Sequence, residues 1–171
     1  DRYRVLSELG EEHAQATAEK LEALLDLYNE YLHFDVDELP VRLRARFFAS
    51  KDRYDTYLNR VIDTTRDDFV YLHYTDLAKS ELVGYDMDAE PFDVSLKHQG
   101  FIQVLRAFVP NPPLWLREGF AVYFEEVEFD DELDRAVYRE NLAWLETLQS
   151  IVDGTAGSAP IPLSQMLRLS V

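Results

Sequence analysis

The chain has 171 residues, a normal length for one domain with its own core, and no cysteine, which removes disulfides, thiolate metal sites and thiol catalysis. Its 17 basic and 33 acidic side chains give a net charge of −16, which argues against nucleic acid and anionic membrane surfaces as partners. Apolar residues make up 47% and aromatic ones 13%, as in a folded globular protein, yet no apolar run approaches the roughly 20 residues of a membrane-crossing helix.

Arg2 to Ser7 alternates Tyr3 and Val5 with arginines and suggests a short strand. From Glu11 to His33, the residues Ala14, Ala18, Leu21, Leu25, Tyr28 and Leu32 recur at steps of four and three, the period of an amphipathic helix. His13, early in this glutamate-rich segment, is expected on the surface, solvated or salt-bridged. His33 suits the helix C-terminus. After Pro40, Val41 to Phe47 alternates strictly and reads as a strand with one arginine-studded face. Helical spacing returns between Asp52 and Thr65 through Tyr54, Tyr57, Leu58, Val61 and Ile62.

Phe69 to Tyr74 and Glu81 to Tyr85 read as short strands about a polar turn. Beyond Pro91 the pattern is helical: Val94 to Phe108, an interruption at Pro110-Asn111-Pro112-Pro113, then Leu114 to Glu126 and Glu132 to Val152. Gly154 to Pro162 is a proline-bearing linker, and Leu163 to Leu169 begins a further helix. Strands interleaved with helices and then helices alone predict an α+β domain over residues 1–171. A small mixed or antiparallel sheet packed on helices is expected in about 1–90, and a helical half in about 91–171. The start at Asp1 suggests a trimmed or mature form, and the end at Val171 a piece of a longer protein.

On a helix, side chains at i and i+4 share a face. The H-E-x-x-H signature uses that spacing to set two imidazoles on one metal, with a glutamate beside the metal-bound water. In the stretch Leu96-Lys97-His98-Gln99-Gly100-Phe101-Ile102, counting from His98 puts Gln99 at the base position and Ile102 at the second ligand position. Glutamine takes no proton from water near pH 7, and isoleucine offers a metal no lone pair. Twenty residues beyond His98 lies Glu118, within Leu114-Trp115-Leu116-Arg117-Glu118-Gly119-Phe120-Ala121-Val122-Tyr123-Phe124-Glu125.

This second segment resembles the W-L-x-E-G-x-A-x-Y-x-E segment of gluzincin zinc metallopeptidases, the zincin-like, peptidase MA-like family. The resemblance covers most of the chain in element order but only about thirty residues in motif detail, with a degenerate H-E-x-x-H motif. It implies a zincin-like fold, with Glu118 in the setting of the third zinc ligand on the helix after the histidine helix. It also implies that the hairpin ending in Glu81 to Tyr85 borders the substrate cleft. Only His98 and Glu118 survive of the family's ligands, whereas a catalytic zinc uses three protein ligands and an open position. His73, Glu125 or Glu126 are candidates for a replacement, though no spacing demands them.

Packing alone offers a plainer account. Leu96, Phe101, Val104, Leu105 and Phe108 make the histidine helix mostly core, where a histidine is commonly a hydrogen-bonded packing residue. Glu118 has Arg117, Arg106 and Lys97 as possible ion-pair partners. The acidic stretch Glu125 to Glu132 lacks the ligand spacing and central glycine of a calcium loop and reads as a solvated turn.

The sequence therefore points to a metallopeptidase homologue without catalysis, with no metal or other cofactor expected. Its cleft is kept as a groove for a peptide or protein, floored by His98, Gln99 and Glu118. Two alternatives stay open. One is a metal-dependent hydrolase holding zinc at His98 and Glu118 with a third ligand from elsewhere, and Tyr123 or a carboxylate as acid–base group. The other is a structural scaffold whose cleft is vestigial. The resemblance and the start at Asp1 suggest an exported or envelope-associated bacterial protein.

Overall fold

The two alternating runs near the N-terminus become strands β1 (Tyr3–Ser7) and β2 (Leu43–Phe48), which pair in parallel with Tyr3 opposite Leu43. The computed structural model describes residues 2–130, 135–138, 143–155, 157 and 161–168. On its other side β2 pairs in parallel with β4 (Glu81–Tyr85), and the short β3 (Val70–Leu72) runs antiparallel to β4. The sheet is mixed, in the order β1-β2-β4-β3, so β3 is an edge strand.

Alternation sorts the two faces of this sheet. Leu43, Ala45 and Phe47 join Leu82 and Tyr71 in the main core, together with Leu21, Leu24, Leu25 and Tyr28 of helix α1 (Glu11–Leu32). Phe48, Leu72, Val83 and Tyr85 meet Tyr54 and Leu58 of helix α2 (Lys51–Ile62) on the opposite face. Helix α1 starts after Gly10, whose φ of 106° suits only glycine at low cost, and ends at His33 in the left-handed conformation.

The arginine-studded face of β2 has a definite partner. Arg44 and Arg46 both donate to the carboxylate of Glu81 on β4, at 3.0 and 3.2 Å, and Tyr57 Oη adds a third donor at 2.9 Å. Glu81 is only 2% exposed, and a buried carboxylate is tolerable when its oxygens are satisfied in this way.

His13 departs from its surface expectation. Its Nδ1 lies 3.0 Å from Ser7 Oγ, and its ring packs edge-on against Phe47 and Phe92. Burial lowers its pKa, with Asp86 opposing the shift and Lys20 adding to it.

The second half is largely helical, with two changes of boundary. Helix α3 (Ala89–Phe108) begins five residues before Val94 and takes Pro91 into its first turn, where a missing N–H costs nothing. The helix expected from Glu132 to Val152 gives way to a hairpin of β5 (Val127–Asp130) and β6 (Arg135–Tyr138), and α5 (Ala143–Val152) starts only afterwards. Tertiary packing overrides the local period here. Val127 and Ala136 are buried in the core, and the Tyr138 ring stacks on Tyr123 of the preceding helix at 4.3 Å between centroids. Residues 132–134 and 139–142 of that expectation, and much of the linker after Gly154, lie outside the described residues. A short α6 (Leu163–Met166) follows, and among the described residues no helix is long and apolar enough to cross a membrane.

Two predictions follow from this packing. The Phe69 ring lies against Gly84 so closely that an added Cβ would stand 2.7 Å from it. Gly84→Ala should therefore cost about 1–3 kcal/mol in urea unfolding, and Gly84→Ala/Phe69→Leu should recover part of the loss. The second concerns His13, which takes up a proton near 6.5 when unfolded but resists protonation when folded. Below about pH 6.5 the unfolded state holds the extra proton, so this contribution is intact above that pH and is lost as pH falls through the folded value. The fall in stability between about pH 7 and 5.5 should be shallower in His13→Asn than in the parent.

Candidate functional site

Helix α4 (Leu114–Glu125) begins at the proline break, where the carbonyl of Pro113 accepts from the N–H groups of Leu116 and Arg117. It folds back along α3 because each helix carries an aromatic face. Phe101 of α3 meets Phe124 at 5.1 Å and Phe120 at 6.0 Å between centroids, and Tyr28 closes the cluster from α1. Phe101, Phe124 and Tyr28 are fully buried.

This packing places polar groups at the rim in register. Lys97 reaches the end of α4 and donates from Nζ to the carbonyls of Glu125 and Val127, at 2.9 and 2.8 Å. Burial lowers its pKa, and the last carbonyl of α4, that of Glu125, gains a cation at the helix's negative end. His98 Nδ1 lies 2.5 Å from Glu125 Oε1; a carboxylate only accepts, so Nδ1 carries the proton. On the other side of the ring, Nε2 faces Glu118 Oε2 at 3.4 Å. Arg117 Nε holds the second oxygen of Glu118 at 2.7 Å. The two motif segments, twenty residues apart in the chain, thus meet across one groove.

The remaining motif positions have other employment. Gln99 Oε1 accepts the N–H of Tyr71 at 3.1 Å, tying α3 to the free edge of β3. Ile102 is 8% exposed and packs in the main core below the groove. Tyr123 does not line the groove; its ring stacks on Tyr138 and stands edge-on to Tyr31. It is therefore not placed to serve as an acid–base group beside His98.

The groove has a volume of about 340 Å³ and lies between β3, α3 and α4. Arg66, Arg106 and Arg117 line it, against the carboxylates of Asp68 and Glu118. His73 lines it too, its pKa lowered by burial and then by Arg106. Arg106 is itself lowered, first by burial and then by the like charge of Arg117. From the sequence, Arg106 and Arg117 stand out only as partners for Glu118, and Arg66 does not stand out at all. The signal for Arg106 was present: His98, Ile102 and Arg106 stand at steps of four, one stripe of a helix. A larger hollow of about 890 Å³ lies between α1 and the β5–β6 hairpin. Its rim is dominated by acidic groups already engaged, with Glu22 and Asp26 held by Arg2, so the smaller groove is the better candidate.

As a metal centre the residues fall short. His98 Nε2 and Glu118 are two donors facing each other. Glu125 sits on Nδ1, the place of a carboxylate that orients the ring, and not on the side a metal would occupy. His73 lines the groove, whereas Glu126 does not. Among the described residues no three His, Asp or Glu side chains converge for a metal ion. The donor set is one short of a catalytic zinc and does not fit it.

No family model matches the chain, and no curated protein matches it either.

The tie between Gln99 and Tyr71 can be tested directly. Gln99→Leu should uncap the edge-strand donor and speed hydrogen exchange at the Tyr71 amide by about tenfold, with a stability loss of about 1 kcal/mol. Unchanged exchange at Tyr71 would show that the bond does not hold the strand.

Proposed function

We propose that this chain is a zincin-like relative of the gluzincin metallopeptidases that binds a peptide or protein segment in its groove and does not hydrolyse it. The observation that carries this reading is the commitment of the two replaced motif positions. Gln99 spends its oxygen on the Tyr71 N–H, and Ile102 packs into the core. Nothing in their place can deprotonate a water at the His98–Glu118 pair. The groove nonetheless keeps a ring of charged side chains, which a merely filled, vestigial cleft has no need of.

The same geometry narrows how a ligand would be held. An extended peptide adds to a sheet edge through main-chain hydrogen bonds. Here the β3 edge is three residues long and the outward N–H of Tyr71 is already bonded. Recognition therefore falls mainly on side chains.

A second reading has one observation in its favour. His98 Nε2 and Glu118 face each other at 3.4 Å, and Glu125 orients the ring, as in a metal site awaiting another donor. Metal analysis and digestion of a peptide library separate the two. The parent protein should carry well under one zinc per chain and leave the library uncut, while Gln99→Glu/Ile102→His should gain stoichiometric zinc. Stoichiometric zinc in the parent, with cleavage abolished by a chelator, would establish the hydrolase instead.

A further inference from the structure

We infer that the groove is a carboxylate-binding site whose anchor is Arg106, and that its ligand is a peptide presenting one free carboxylate. The inference rests on the groove being a binding site, as proposed above.

The chain has 33 acidic side chains against 17 basic ones, so a cation has many carboxylates to pair with. Arg106 nevertheless makes no hydrogen bond or ion pair among the described residues, and its Nε is buried without a partner. An unpaired guanidinium at a partly buried position is costly, and an incoming anion would relieve the cost. Arg117 stands near enough to repel it, and only one of the two is neutralised, because Glu118 is bonded to Arg117. Arg66, exposed at the rim, also forms no ion pair among the described residues.

The charge balance selects the class of anion. With the two histidines counted as neutral, the three guanidinium groups and two carboxylates that line the groove leave one positive charge in excess. A carboxylate of single charge balances it. A phosphate dianion would overshoot and would meet Glu118 and Asp68. The planar fork of arginine also matches a carboxylate with two parallel hydrogen bonds. Phe69, Val70 and Ile102 supply the apolar part of the lining beside that anchor.

The test uses the full chain and three probes in calorimetric titration. These are acetyl-trialanine with a free C-terminus, the same peptide as its C-terminal amide, and an amidated acetyl-alanyl-aspartyl-alanine. At least one carboxylate probe should bind about tenfold more tightly than the neutral amide, and Arg106→Gln should remove that preference. Which carboxylate probe wins tells a C-terminal group from an acidic side chain. Arg66→Gln, at an exposed position that folding tolerates, should reduce the preference by about threefold and decides the matter if Arg106→Gln does not fold. Equal affinity for acid and amide, or a preference untouched by the variants, would overturn the carboxylate site and leave the binding groove standing. Absence of binding by all three probes would overturn both.

Discussion

The contact of α3 with α4 is the constraint on which the rest depends. Phe101 enters a cluster of Phe120, Phe124 and Tyr28, and this burial carries the energy. Truncating a buried phenylalanine costs about 3–5 kcal/mol. A hydrogen bond to a charged group contributes about 1.5–3 kcal/mol at best, and less for a pair that water reaches, such as His98 and Glu125. Aromatic packing therefore decides that the helices lie together. Lys97 and His98 decide the register, because their partners are specific atoms at the end of α4.

From that register the groove follows. Once α4 is fixed along α3, Glu118 and Arg117 must face the stripe of His98, Ile102 and Arg106, and β3 forms the opposite wall. The tie from Gln99 to Tyr71 fixes that wall. In a working H-E-x-x-H helix the same residue position faces the reacting water. Here it holds a strand in place. One helix face thus supplies both the scaffold of the groove and its surplus positive charge, inside a strongly acidic chain.

How much of this was legible depended on the range of the interaction. Strands and helices set by local period, such as the alternation of Leu43 to Phe47 or the stripe from Leu21 to Tyr28, were readable. So was the pairing of His98 with Glu118, because a motif encodes spacing that only folding brings together. The β5–β6 hairpin was not readable: its alternation is four residues long in each strand, and burial of Val127 and Ala136 depends on elements far away in the chain. His13 was misplaced for a similar reason, since Phe47 and Phe92 arrive from distant segments to cover it. The role of Gln99 was hidden because its partner is a backbone N–H, which no residue type announces. The arginine face of β2 showed as a pattern, while its purpose waited on the register that sets Glu81 beside it.

The groove is built on His98 holding to Glu125 and Glu118 of α4, and a bound zinc would compete with those contacts. Nitrogen NMR of the imidazole rings, with His98 assigned through His98→Gln, tests it most directly during a titration with zinc. The Nδ1 proton should stay bonded to Glu125, and the Nε2 signal should not move at stoichiometric zinc. A new Nε2 signal in slow exchange, saturating at one zinc per chain, would contradict it.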